Sequence, residues 1–389
     1  TAELTTTYQG GGINDWVTRA MGEKNGARTN WMYWINVAFW MPSVYMILGS
    51  TICYAIDPSF VTDNDWFIWI NVAIAIGASW LTVLFNSMKL SNAKWIPNVG
   101  VYIKFGIVLF MIIAMIVFLV NPNLFGSNNA ASGISSPDEP VLPGYIATPV
   151  NGANGFGGNW ELSMGILGII CYNLLGFELS SNLGDDVKEI KKNVPKALLA
   201  GGIAIVAAYI IATIPVFITN DVGNANYDYA NCIISTLLSG LPQGLVIALS
   251  IFLAFTLFTN LCTWSLGANG AIAEAADAGQ FPKIFGERNR NGVPLKASIL
   301  LAIISTVTAV IGGFMQFFGA GSAYYIMFSF SFLIFFIPYF FMFISYPRLR
   351  KLDKGIERPF GLKQDWLANT LSYWCFGIMV VAAIGQFFS

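Results

Sequence analysis

The chain contains no histidine, and only 11% of its 389 residues are charged. Without imidazole it lacks the usual general base and the usual metal ligand, and no Ser-His-Asp triad can be built. Its cysteines, Cys53, Cys171, Cys232, Cys262 and Cys375, are scattered without CxxC spacing. They read as packing residues, and no metal or cofactor is implied. There is no basic tract, and the formal net charge of −1 offers nothing to a polyanion, so no nucleic-acid partner is expected. Charge is too sparse for a water-soluble fold, where about 25% of residues are usually charged.

What the chain does have is apolar surface: 56% of its residues are hydrophobic, among them 31 Phe and 12 Trp. A soluble domain could not hide so much, so lipid is the natural solvent. A spanning helix needs roughly 20 apolar residues. Nine stretches qualify: 30–55, 66–87, 95–120, 162–183, 197–219, 242–275, 296–314, 322–346 and 367–388. Gly, Pro, Asn and charged clusters separate them. The sixth is long enough to end in a cytoplasmic extension.

Alternate gaps differ in sign. One set holds 19 of the 20 Lys and Arg residues, from Arg19, Lys24 and Arg28 through to Lys363. The other set (56–65, 121–161, 220–241 and 315–321) holds acids instead, including Asp57, Asp63, Asp138 and Glu161. Positive residues stay in the cytoplasm, so a multi-pass protein of the cell membrane with a cytoplasmic N-terminus is predicted. Residues 121–161, rich in Gly, Asn, Ser and Pro, read as an irregular outer loop. The chain starts at Thr1 rather than Met and stops directly after an apolar run, which suggests a piece of a longer transporter.

The remaining cation, Lys104, lies within an apolar run between Ile103 and Phe105. It stands nine residues past Trp95, about 13 Å along a helix. An ammonium near mid-bilayer costs about 2.5–3.5 kcal/mol on insertion scales. It is either a snorkelling side chain or a functional internal cation, fixed or proton-titrating. Glu178 lies in the run from Gly176 to Gly184, beside Ser180, Ser181 and Asn182. A carboxylate in such company suits a broken helix lining a cavity, or a helix contact made by small polar residues. Trp264, among Thr263, Ser265 and Gly267, and Tyr172, just before Gly176, are aromatics at mid-span depth. They could stack on a substrate or simply pack. Pro42, Pro215 and Pro338 suggest kinks within spans.

Three motifs occur in order. The first is Thr1-Ala2-Glu3-Leu4 with Gly10-Gly11-Gly12 and Trp16–Gly22. The second is Gly176-Phe177-Glu178 with Val187-Lys188 and Asn193-Val194-Pro195-Lys196-Ala197. The third is Asp277–Pro282 with Asn289 and Gly292-Val293-Pro294. In these the chain resembles the amino acid–polyamine–organocation superfamily along essentially its whole length. The resemblance implies an all-α polytopic bundle with the leucine-transporter-like inverted repeat, about nine spans being present and the first and last helices missing.

It also implies one membrane transporter domain over 1–389. Residues 1–29 would be a helix end and a cytoplasmic hairpin, 30–120 the remainder of the first repeat and 121–161 the outer loop. The second repeat would occupy 162–347, and 348–389 a cytoplasmic loop with an additional span. Similarity to arginine/agmatine-type antiporters implies that Tyr172 and Trp264 wall the substrate. The broken helix at Gly176 and Phe177 would hold its polar head. Glu178 would serve gating or pH sensing, and Lys104 would occupy the place of a coupling sodium ion. Ser43 and Ser329 fall near substrate-facing positions. The family's first helix, whose Gly-rich break binds the α-carboxylate and α-amino group, has no counterpart here, and a chain this short would not be expected to transport alone.

The expected function is secondary transport of amino acids by alternating access, coupled to protons. The alternative is exchange of an amino acid for an amine. A channel or receptor fits less well, since no continuous polar stripe is present. An enzyme is not expected, for want of histidine and of clustered carboxylates at depth.

Overall fold

The computed structural model describes residues 1–8, 12–56, 66–88, 95–120, 168, 170–176, 178, 189–219, 243–319 and 323–385. Among them the regular elements are α-helices, with 3-10 turns at Lys283–Phe285 and at Glu178. In chain order they are α1 (Ala2–Thr7), α2 (Ile13–Met21), α3 (Glu23–Ile56), α4 (Trp66–Asn86), α5 (Trp95–Val120), α6 (Ile190–Thr219), α7 (Gln243–Asp277), α8 (Leu295–Phe317), α9 (Ala323–Leu352) and α10 (Asp365–Gly385).

Eight of these, α3 to α10, are long and apolar enough to cross a membrane. They correspond to eight of the nine expected spans. The ninth, 162–183, falls largely outside the described residues, and its described part is not a continuous helix. The outer loop 121–161 also lies outside them.

Helix ends differ from the expected ones where polar residues prolong an apolar run. The span expected from residue 30 begins at Glu23, so residues 23–29 belong to α3 rather than to a hairpin. Gly22, at φ +87, ends α2 where an L side chain would be strained. Glu23 then opens α3 with its acid in the first turn, favourable to the helix dipole. α2 is amphipathic: Ile13, Trp16 and Val17 are buried while Asp15 and Arg19 are exposed. The helices run on through Pro42, Pro338 and Pro347, and Pro215 lies within the bounds of α6.

α3 is the axis of the bundle. In its most apolar window 72% of residues are buried, against 0% for α6, which lies at the periphery. α3 packs chiefly on α9 and α7, and also on α2, α4 and α8. α4 meets α8 through Trp69 on Phe314, with centroids 4.8 Å apart, and a Cβ added at Gly313 would strike Val72. A buried polar staple joins α3, α7 and α8. Trp34 Nε1 donates to Asn269 Oδ1 at 3.1 Å, and Asn269 Nδ2 donates to the hydroxyls of Ser265 and Ser298. Such bonds hold helices together where burial of apolar surface cannot, lipid being as apolar as leucine.

At the end bearing the basic loops, charged groups knit distant parts of the chain. Glu3 of α1 is 7% exposed and accepts two bonds from Arg350 of α9, at 2.9 and 3.0 Å. It also accepts bonds from Arg358 at 3.1 Å and from the Tyr346 hydroxyl at 2.6 Å. Arg350 donates further to Asp365 of α10 and to the Leu362 carbonyl. Nearby, Asp353 accepts bonds from Arg19 and from the Tyr8 hydroxyl. The loop after α7 is fixed by Asn289, whose Oδ1 accepts the N–H groups of Asn291 and Val293. The amides of Asn289 and Asn291 donate to the Ser87 carbonyl past the end of α4.

Candidate functional site

Between α5 and α6 the described chain stops being helical. Residues 170–173 are helical, then Leu174 and Leu175 donate to carbonyls only three residues back, Cys171 and Tyr172. Gly176 follows at φ +103, which glycine reaches without the steric cost other residues meet. Its N–H leaves the helix and donates to the Tyr339 hydroxyl of α9 at 2.7 Å. A Cβ built on Gly176 would lie 3.0 Å from the Trp264 ring. The glycine therefore serves two ends here, the turn and the close approach of the indole.

Trp264 of α7 is flanked by Trp40 of α3 at 5.3 Å and by Phe335 of α9 at 6.0 Å. Tyr172 is buried, with its ring edge-on to Phe328, Phe332 and Phe335. Phe335 also meets Tyr33 at 5.3 Å and Tyr339 at 5.2 Å. One ring thus meets aromatics of α3, α7, α9 and the broken segment.

Glu178, in a turn of 3-10 helix just past the break, is 2% exposed. One carboxyl oxygen accepts the Tyr33 hydroxyl at 2.9 Å and the other the Tyr339 hydroxyl at 2.5 Å. Tyr339 therefore accepts from Gly176 and donates to Glu178 through a single oxygen. Aromatic faces attract organic cations, a carboxylate does so more strongly, and unwound backbone offers polar groups without side chains. The assembly has the chemistry to receive a small organic cation or zwitterion. Among the described residues no group of three or more His, Cys, Asp or Glu gathers that could hold a metal.

Of the residues singled out from sequence, Tyr172, Gly176, Trp264 and Glu178 come together. Phe177 lies outside the described residues, as does the side chain of Ser329. Ser43 is fully buried, one turn beyond Trp40, and its hydroxyl donates to the Trp40 carbonyl at 2.7 Å within its own helix. Lys104 lies within the apolar span α5, nine residues past Trp95, with its side chain exposed on the helix surface. α5 seats Ile107 and Met111 against Leu249 and Leu253 of α7, and Gly100 against Thr259. Lys104, four residues after Gly100 and three before Ile107, lies on the helix face that carries this seam.

Tyr33, Trp40, Phe335 and Tyr339 were not singled out. In a chain with 31 Phe and 15 Tyr an aromatic in a span carries little information. The available clue was chemical: a tyrosine deep in an apolar span needs a partner for its hydroxyl, and Glu178 was the acid at depth.

An interrupted helix set between long spanning helices, with an acid and aromatics around the interruption, defines a membrane transporter of amino acids or amines. The chain belongs to a family described as amino acid permease, whose model matches residues 1–387. It is 28% identical to a probable agmatine/putrescine antiporter of Lactococcus lactis, over 92% of this chain and 71% of that protein. It is 22% identical to a glutamate/gamma-aminobutyrate antiporter of the same species, over 95% of this chain and 70% of that one. A cadaverine/lysine antiporter of Escherichia coli is 30% identical over 146 residues, 37% of this chain and 32% of its own length.

Proposed function

We propose that this permease exchanges a basic amino acid, or its amine, across the cell membrane, with its N-terminus in the cytoplasm. The observation that carries the reading is the Gly176 break, where Trp264 packs on the glycine and Glu178 is held by two tyrosines. The substrate's polar head is held by backbone around Gly176 and Phe177. Tyr172 and Trp264 wall its aliphatic part, with Trp40 and Phe335 behind them. Ser43 and Ser329 lie further along α3 and α9 on the substrate's path. Glu178 gates, since releasing Tyr33 and Tyr339 from it frees α3 and α9 from the broken segment. Residues 1–389 act as one transporter domain. Exchange is favoured over one-way uptake because the relatives compared are antiporters by name, two of them of amines.

Proton coupling through Lys104 belongs to the alternative, in which an amino acid enters with a proton. Counterflow in proteoliposomes separates the two. Labelled basic amino acid is expected to enter only when unlabelled amine or amino acid is loaded inside. Uptake into empty vesicles driven by a pH gradient alone, and abolished by Lys104→Ala, would instead establish the proton-coupled reading.

A further inference from the structure

Asn36 of α3 is 1% exposed, and its carboxamide oxygen meets no hydrogen-bond partner. Of the other buried asparagines, Asn30 donates to the Ala271 carbonyl and Asn269 joins three side chains, while Asn86 has an amide nitrogen, a donor, without a partner. The oxygen of Asn71, also without a partner, lies where a Cβ on Gly49 would stand and so rests on that glycine. No glycine is described as packed under Asn36. A buried carbonyl without a partner is costly, and an apolar residue of similar size would avoid the penalty.

Its place on the helix says what the oxygen faces. Residues three, four and seven apart share a helix face. Tyr33, three residues before Asn36, bonds Glu178, and Trp40, four residues after, packs on Trp264. Asn36 thus stands about 4.5 Å along the axis from the tyrosine and about 6 Å from the indole. It lies on the stretch of α3 that runs from the carboxylate to the aromatic wall. The phenol and the indole at its two ends are engaged, while the amide oxygen between them is not.

We propose that Asn36 selects substrates with a second cationic nitrogen, its Oδ1 accepting an N–H from the far ammonium or guanidinium. A carbonyl oxygen suits this task because it accepts only, and a cation donates only. This rests on the reading of the site as one for basic amino acids and amines, and adds the residue that distinguishes a diamine from a monoamine. Selection by a buried acceptor is sharp, because a ligand lacking the donor leaves the acceptor unmade.

The test is competitive binding to the purified full chain in detergent, with a four-carbon alkyl diamine and butylamine as probes. Asn36→Leu is expected to weaken the diamine about tenfold and to leave butylamine unchanged. Asn36→Asp is expected to tighten the diamine over butylamine. This variant keeps the shape of the residue and decides the matter if the leucine variant does not fold. An unchanged diamine-to-butylamine ratio in either folded variant would overturn the proposal, as would an equal loss of both ligands. Failure of the wild-type chain to bind either amine would sink the reading of the site itself and this inference with it. A wild type that prefers the diamine with variants that keep the preference would sink the role of Asn36 alone.

Discussion

Glu178 and Glu3 are both buried acids that accept a tyrosine hydroxyl, yet the side-chain donors described for them differ in charge. The hydrogen bonds described for Glu178 come from the phenols of Tyr33 and Tyr339, which carry no net charge. Glu3 takes one phenol, that of Tyr346, and the guanidiniums of Arg350 and Arg358. The second arrangement neutralises the acid and binds α1 to α9 and to the loop before α10. The first orients an acid beside unwound backbone. Charge compensation suits a fixed joint, and neutral donors suit a contact that must be remade during a cycle.

The largest effect should come from the compensated site. Glu3→Gln removes the carboxylate shared by buried Arg350 and half-buried Arg358 and leaves Arg350 only the exposed Asp365, which costs about 3 kcal/mol. It should appear as a marked fall in the melting temperature of the detergent-purified protein. An unchanged melt would erase the proposed difference between the two acids. Tyr339→Phe removes the acceptor of Gly176 and a donor to Glu178, for about 1–3 kcal/mol of stability. Exchange in proteoliposomes should fall far more than the melt does. Equal losses would make the tyrosine another structural joint.

The smallest effect sharpens the basic end. Arg19 beside Asp353, with help from the Tyr8 hydroxyl, holds the Asp353 carboxyl below its ordinary range. A folded-state value below the unfolded one stabilises above the unfolded carboxylate range, and that stability is lost as pH falls through the folded value. The Arg19 side chain is 50% exposed, so screening limits the contribution to at most about 1 kcal/mol. Melting curves between neutral and acid pH should show this slight acid limb in the wild type and lose it in Asp353→Asn.

The spans were legible because long apolar runs and one-sided basic gaps leave few alternatives, and eight of them are helices near the expected places. Ends were less legible, since Glu23–Thr29 is polar and helical at once. The break at Gly176 could be read because glycine, serine and a carboxylate rarely share a lipid-facing helix. Tyr33 and Tyr339 could not, since each is marked only by the acid it meets, 145 and 161 residues away. Glu3 and Arg350 lie 347 residues apart, and nothing local marks either as half of a pair.

The hydroxyl of Tyr339 has only one oxygen, and that atom serves both sides of the interruption. Sliding or turning α9 by less than a helical turn would strip Gly176 of its acceptor and Glu178 of its donor in the same movement. In the proposed cycle the two bonds open and close together, as a catch with two positions rather than as a spring with many.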